Sequence, residues 1–567
     1  LDPGHAAAHA NLGAALLDRR NPKLGATHLE RALALDPSLS QAAYNLGTLK
    51  IGQRQWEAAA RLFRQSLDAA PKQADAQYWL GNALMGMGDA VQARKAYQAA
   101  LRIDSNLVQA RWGNVMAQLP AIALLPQEQE ESAAAFAREL DKARTWFRTH
   151  RPSTGYQAVG SQQPFYLAYI EQDHRAVLRE YGELSTSLMG AWARKVPVPA
   201  PAARREGKIR VGVVSAHIHN HSVWHAVLRG WVEHLDREQF TLEIFHVGEG
   251  RDAETEWAAR QVARLHHGLG DWMAWAKAVS DGRFDVLIYP EIGMDATTVR
   301  LSALRLARVQ LASWGHPVTT GLPTIDGYIS AQAFEQEGSQ DHYNEPLLAL
   351  PRLGCSYRAY GTRPRPVDLA ALGVAPGDRI LLCAGNSFKY APRDDQLYVE
   401  IARRCQPCKL LFFSAPGDLK AKLLQDRLRQ VFAAADMDFD ASVRFVPWLA
   451  QEQFFGLLQQ AHVFLDSPGF SGFNTAMQAV ECDTPIVAWE GRFMRGRFAS
   501  GILGELGMTE WIAASHAGYA DLVLALCDTS TNARVRQQLR ERKARLFDDK
   551  ATVDALATQL RGLAQGS

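Results

Sequence analysis

The chain has 567 residues, enough for several domains with large cores. Its 62 Lys and Arg against 60 Asp and Glu leave a net charge of only +2, which offers no general attraction to nucleic acid or to an anionic membrane. No apolar run is long enough to cross a bilayer, no signal-like start is present, and six cysteines in so long a chain give no disulfide framework, so a reducing cytoplasm is the expected compartment.

In chain order, the first residues are Leu1-Asp2-Pro3, with no methionine, which predicts that an upstream part is missing. Asn11-Leu12-Gly13 then recurs as Asn45-Leu46-Gly47 and as Trp79-Leu80-Gly81, each step 34 residues. Leu35-Asp36-Pro37 is answered at the same period by Ala69-Ala70-Pro71 and by Ile103-Asp104-Ser105. Ala59, Phe63 and Leu67, like Ala93, Tyr97 and Leu101, are spaced by four, with small residues where helices pack closely. Two amphipathic helices per 34 residues resemble tetratricopeptide repeats, expected over 1–115, and Leu1-Asp2-Pro3 looks like the tail of one more. Such a stack commonly offers a groove for a protein or peptide; a spacer or a homodimer surface is its alternative use.

From Trp112 to about Ala193 helical patterning continues without the period, with a charged amphipathic helix over Gln127–Arg148 and about two more helices over Pro164–Trp192. Residues 116–203 read as capping helices closed by a proline-rich linker that starts at Lys195. Beyond it, strands alternate with helices. The first strand set is Ile209–Val214, Leu242–Val247, Val286–Tyr289, Val309–Ser313 and Gly327–Ser330. The second is Ile380–Ala384, Leu410–Ser414, Val443–Val446, Val463–Leu465 and Ile486–Trp489. Apolar strands with crossover helices predict two doubly wound, Rossmann-like α/β lobes, 204–365 and 366–567, joined through the Pro/Gly-rich span Pro351–Pro376. A long charged helix over about Thr531–Leu563 is expected to pack across both lobes.

The central stretch runs from Val463 to Trp489: strand, the loop Asp466-Ser467-Pro468-Gly469, an Ala-rich helix, strand. Unpaired backbone N–H groups near Ser471, Gly472, Phe473, Asn474 and Thr475, together with the helix dipole, would suit a phosphate or diphosphate. Three further stretches follow strands: Ser215–His225 (SAHIHNHSVWH), Trp314–Gly321 (WGHPVTTG) and Cys383–Lys389 (CAGNSFK). Together with the repeats, the four stretches resemble the family of O-linked N-acetylglucosamine transferases, over nearly the whole chain. The resemblance implies a GT-B type enzyme that moves N-acetylglucosamine from UDP-N-acetylglucosamine to Ser/Thr of proteins, inverting, with no metal and no cofactor. It also implies a donor bound between the lobes and a protein acceptor guided by the repeat groove.

By the same resemblance Lys389 contacts the donor's β-phosphate, where its ammonium would neutralise the charge that grows on the leaving diphosphate. His221, in His219-Asn220-His221-Ser222, is the candidate base or acceptor-positioning group, with a water-relayed carboxylate open as the alternative and Asp281 and Asp285 as weaker candidates. His316, Pro317, Thr319 and Thr320 match the loop that lines the sugar and phosphate side of the cleft, and Asn386 stands where the family carries a Gln that contacts the donor.

The match fails at places that bear on the donor. The family's His-Thr-Thr, with an Asp one turn later for the ribose, is here Phe473-Asn474-Thr475 and Gln478. Its Lys, His and Arg on the preceding helix are Gln451, Phe454 and Gly456, and its Tyr is His316. The long insert that human-type members carry between the lobes is absent. Another donor on the same fold, UDP-glucose or GDP-fucose, is therefore the alternative, and a peptide-binding scaffold with inactive lobes is the third reading. Zinc is not expected at His217, His219, His221 and His225, which lie on a strand exit that sends successive side chains different ways, nor at Cys405 and Cys408, which have no second pair. Asp436, Asp438 and Asp440 mimic a D-x-D metal motif but read as a solvated acidic turn.

Overall fold

The computed structural model describes residues 4–196, 198–201, 206–415 and 417–566; Leu1-Asp2-Pro3, Pro197 and residues 202–205, where the linker was expected to end, lie outside them. The chain divides into two compact units, 1–121 with 130–162, and 122–129 with 163–567.

In the first unit, helices α1 (Ala6–Asp18) and α2 (Pro22–Leu35), α3 (Ser40–Gly52) and α4 (Trp56–Ala69), and α5 (Ala74–Met87) and α6 (Ala90–Ile103) pack as three pairs, with α7 (Val108–Met116) against α6. The recurring glycine has a steric cause. A Cβ on Gly13, Gly47 or Gly81 would come within 2.7 Å of Leu29, 2.9 Å of Phe63 or 2.4 Å of Tyr97, the large residue of the paired helix in each repeat. Buried Ala59, Ala60, Ala93 and Ala96 bring the helices equally close. Helix α8 (Pro126–His150) buries Phe136, Leu140 and Phe147, and Trp112 donates its indole N–H to the Gln162 carbonyl at 3.0 Å.

The second unit carries helix α9 (Arg175–Ala193) and two parallel sheets. Strands β1 (Ile209–Ser215), β2 (Phe240–His246), β3 (Arg264–His267), β4 (Val286–Tyr289), β5 (Val309–Ser313), β6 (Gly327–Ala331) and β7 (Leu347–Leu350) lie in the order β3-β2-β1-β4-β5-β6-β7. Strands β8 (Arg379–Cys383), β9 (Cys408–Ser414), β10 (Val443–Pro447), β11 (Val463–Leu465), β12 (Ile486–Trp489) and β13 (Ile512–Ala513) lie in the order β10-β9-β8-β11-β12-β13. Central strands such as β4 and β5 are buried at every position, as a sheet covered on both faces requires. The strand order reverses between β1 and β4 in the first lobe and between β8 and β11 in the second. Ligands of open α/β sheets collect at such switch points, on the carboxyl edge.

Two sequence expectations are corrected. The edge strands β3, β7 and β13 were not anticipated: β3 reads Arg-Leu-His-His and β13 is only two residues long. The long terminal helix is two, Thr529–Arg542 and Lys550–Gly566. The break falls where Phe547 bridges to Tyr357 and Asp548 takes a positive φ of 54°. The last helix then packs on the first lobe: Thr552 donates to the Pro351 carbonyl at 3.2 Å, and Arg561 to Gln239 at 2.5 Å.

Candidate active site

Lys389 sits in the short 3-10 turn Ser387–Lys389 after β8, and the glycine loop follows β11, the neighbouring strand across the switch point. Its ammonium donates to the Ser471 carbonyl at 3.2 Å and lies 4.9 Å from the centre of the Phe470 ring. Burial lowers the Lys389 pKa to about 8, partly offset by the Asp466 carboxylate, which favours the charged form. A Cβ on Gly472 would lie 3.6 Å from this ammonium, so lysine and helix start share one spot.

The expected row of five free amides is shorter. Ser471 N–H donates to the Arg495 carbonyl at 2.7 Å and Gly472 N–H to Asp466 Oδ1 at 3.1 Å, because the loop folds back on its own strand exit. The helix Phe473–Glu481 begins after Gly472 with no side-chain cap, and among the described residues no protein group accepts from the amides of Phe473, Asn474 and Thr475. Asn386 is exposed at the start of the Lys389 turn, its carbonyl accepting the Lys389 N–H at 2.9 Å.

The side chains that depart from the family serve the protein itself. Phe473 packs edge-on to Trp314 (5.0 Å), Phe334 (5.9 Å) and Tyr357 (5.7 Å), closing part of the space between the lobes with apolar rings. Asn474 accepts the Tyr357 hydroxyl at 2.7 Å and donates to the Tyr360 oxygen at 3.3 Å. Gln478 is buried and bonds to Tyr360, while Glu481 accepts the N–H groups of Tyr360 and Gly361. This face of the helix therefore clamps the stretch joining the lobes. Gln451 does likewise, donating to Thr362 at 2.9 Å, and a Cβ on Gly456 would lie 1.9 Å from the Arg365 carbonyl.

On the first lobe, His316 is buried and stacked on Phe165 at 5.5 Å; burial, aided by Arg495, lowers its pKa to about 4. Pro317 and Thr319 line a small pocket with His342, Tyr343 and Arg495. The hydroxyls of Thr319 and Thr320 both go to the buried Glu345, the first at 2.6 Å, and the Thr320 and Gly321 amides donate to the same carboxylate at 2.9 and 3.1 Å. Both threonine hydroxyls thus brace their own loop.

His221 lies in the loop after β1. Burial holds it neutral, with a pKa lowered to about 4, and its ring stacks on His217 at 3.9 Å. Val223 N–H donates to its Nδ1 at 3.2 Å, which leaves Nε2 as the protonated nitrogen. Asp281 and Asp285 are corrected as base candidates. They precede β4, at the amino edge and away from the switch point; Asp281 pairs with Lys277 at 2.5 Å and Asp285 accepts the Arg210 N–H at 2.9 Å. Asp438 caps the helix Phe439–Ser442 and Asp440 pairs with Arg429 at 2.6 Å. Among the described residues, no three His, Cys, Asp or Glu side chains are arranged to hold a metal ion.

Sequence reading missed several groups here. Glu291, two residues past β4, is wholly buried, accepts the Ala216 N–H at 2.8 Å, and has its pKa raised by burial to about 8. The turn Phe165–Tyr169 lays rings on both lobes: Phe165 on His316, Tyr169 on Phe388 (4.7 Å) and on Phe470 (4.2 Å). Only the aromatic clustering of Phe165, Tyr166 and Tyr169 could have hinted at it. Asp466 was visible only as the first residue of the glycine loop.

Residues 44–107 match the profile of the tetratricopeptide repeat, and residues 371–556 that of glycosyl transferase family 41. The chain is 24% identical over 343 residues to a UDP-glucose:protein N-beta-glucosyltransferase of Actinobacillus pleuropneumoniae serotype 5b, covering 59% of this chain and 53% of that one. It is 23% identical over 330 residues to the probable UDP-N-acetylglucosamine–peptide N-acetylglucosaminyltransferase SEC of Arabidopsis thaliana, covering 55% and 32%. The chain thus spans about half, or less, of the length of these relatives. Among solved structures, an O-GlcNAc transferase variant of Thermobaculum terrenum superposes with a TM-score of 0.71 at 20% identity, covering 99% of both chains.

Proposed function

We propose that this chain, which joins tetratricopeptide repeats to a glycosyl transferase family 41 domain, transfers a sugar from a UDP-sugar to a protein side chain. The observation that carries the reading is the convergence of the Lys389 ammonium and the uncapped helix start at Phe473–Thr475 on the switch point between β8 and β11. A departing nucleoside diphosphate gathers negative charge, and a fixed ammonium with three unpaired amides would stabilise it without a divalent ion. The sugar would be N-acetylglucosamine and the acceptor a Ser or Thr hydroxyl attacking from the face opposite the diphosphate, with inversion, in the cytoplasm. The repeats would hold the acceptor protein in extended form.

His221 suits the positioning of that acceptor. Its Nδ1 lone pair is occupied by Val223 N–H, so the ring offers an Nε2–H donor rather than a basic nitrogen. A second reading keeps the fold and takes UDP-glucose. It is favoured by likeness to a UDP-glucose:protein N-beta-glucosyltransferase. A panel of radiolabelled UDP-N-acetylglucosamine, UDP-glucose and GDP-fucose with protein acceptors tests both. Label on protein from either UDP-sugar, released by β-elimination if on Ser/Thr, supports the proposal. Label from GDP-fucose alone, or none from any donor, refutes it.

A further inference from the structure

Asp466 is a buried acid at the donor site that the proposed transfer does not use. It follows the last residue of β11, and only 2% of it is exposed. Its Oδ1 accepts the Gly472 N–H at 3.1 Å and so shapes the loop that ends at the uncapped helix start. The Ser471 hydroxyl and the Ser467 amide also bond to its carboxyl group. Its Oδ2 is buried and, among the described residues, has no hydrogen-bond partner. Three ionisable groups face it. Lys389 comes from the exit of β8 and Tyr390 from the residue after it; Tyr519, on the helix His516–Leu526, donates its hydroxyl to Asp466's own carbonyl at 2.8 Å. Burial keeps both phenols neutral, so Lys389 is the cation among them.

In the empty site, carboxylate and ammonium compensate one another. A bound diphosphate would bring two ionised phosphates to the same ammonium and to the amides beside it. Like charges crowded in a buried site do not all stay ionised, and the group best placed to accept a proton is the one with an unpartnered oxygen. We propose that Asp466 is a proton-linked counter-ion of the donor site, ionised beside Lys389 when the site is empty and protonated on Oδ2 when a sugar nucleotide's diphosphate engages Lys389. The proton comes from solvent, and no bond of the donor is made or broken in this step. The inference rests on the donor site proposed above.

The direction of the pH dependence follows. Burial already raises Asp466 to about 6 in the empty site, and binding raises it further, so binding takes up a proton. Affinity is then greatest below about pH 6 and falls by up to about tenfold per pH unit above it. Beyond about pH 8 the empty-site ammonium of Lys389 also loses its proton, which steepens the fall.

The test is isothermal titration calorimetry of the full chain with UDP-N-acetylglucosamine and with UDP-glucose, whose diphosphates have no group titrating between pH 6 and 8. Buffers of different ionisation enthalpy report the protons exchanged. The expected result is close to one proton taken up per nucleotide at pH 7, and an Asp466→Asn variant that takes up clearly less there and whose affinity is nearly flat between pH 6 and 7, the remaining uptake at higher pH belonging to Lys389, which loses the support of the carboxylate. Wild-type binding without uptake and with flat affinity would overturn the proposal and leave the donor site standing. Uptake unchanged in Asp466→Asn would assign the proton elsewhere and overturn it too. Failure of both nucleotides to bind at pH 6 would remove the donor site and the proposal with it. Should Asp466→Asn not fold, the wild-type measurement decides alone.

Discussion

Replacing Lys389 with Ala separates catalysis from stability, because the two effects have different origins. If, as proposed, the Lys389 ammonium neutralises the leaving diphosphate, its removal should slow transfer about 10³-fold or more, ~4 kcal/mol of barrier. The fold should barely notice. Moving the lysine from 10.5 to about 8 means that its burial costs about 3 kcal/mol at neutral pH, a cost that the variant escapes. That net cost already includes the attraction of Asp466; against the gain, the variant loses the ammonium's bond to the Ser471 carbonyl and its contact with the Phe470 ring, each a loss of about 1–2 kcal/mol. These changes nearly cancel, and in so large a chain the unfolding midpoint should move by less than about 3 °C. Initial rates with labelled donor and a thermal melt on the same preparation measure both. A variant within about tenfold of wild-type rate would refute the role of the lysine. A fall in midpoint beyond about 10 °C would show that Lys389 holds the loop rather than the donor.

Other expectations follow from the same contacts. Asn474→Ala removes one of the two partners of the buried Tyr357 hydroxyl, leaving Tyr360, and should cost about 1–2 kcal/mol in urea unfolding; an unchanged midpoint would mean that the clamp on the stretch between the lobes carries no energy. Glu345→Ala leaves the hydroxyls of Thr319 and Thr320 and the amides of Thr320 and Gly321 without their acceptor, and should destabilise by about 3 kcal/mol or more, with Glu345→Gln recovering part. His316, held neutral with a pKa near 4, destabilises the fold as pH falls from 6.5, because the unfolded chain takes up the proton first. Wild type should therefore lose about 2 kcal/mol more than His316→Phe between pH 6.5 and 5, read from urea curves at both values; equal losses would mean that the ring protonates freely in the fold.

The two lobes were legible because strands buried on both faces read as unbroken apolar runs, as in Val309–Ser313 and Val463–Leu465. Edge strands escaped notice for the opposite reason: β3 is half exposed and carries Arg264, His266 and His267. The repeats announced themselves through a glycine that faces a large residue of the paired helix every 34 positions. At the site, strand-exit motifs located Lys389 and the helix start. What they could not reveal was which donors and acceptors the protein uses internally. Glu345 is 25 residues from Thr320 in sequence, and Tyr357 is 117 from Asn474. Such partnerships are set by tertiary packing, so side chains that looked exposed to ligand proved to be braces.

The path of the chain between the lobes limits how they can move. The backbone leaves the first lobe after Leu350 and returns at Lys550–Gly566, and the two passages are riveted together. Arg352 pairs with Glu505 at 2.9 Å and with Asp549 at 3.0 Å, while Asp548 N–H donates to the Tyr357 carbonyl at 2.9 Å. A body tethered by one strand can pivot in any direction; one tethered by two adjacent strands keeps only a shallow rocking about the line through them. In the function proposed above, loading and emptying of a donor site between the lobes would then proceed with the two lobes behaving as a nearly fixed frame.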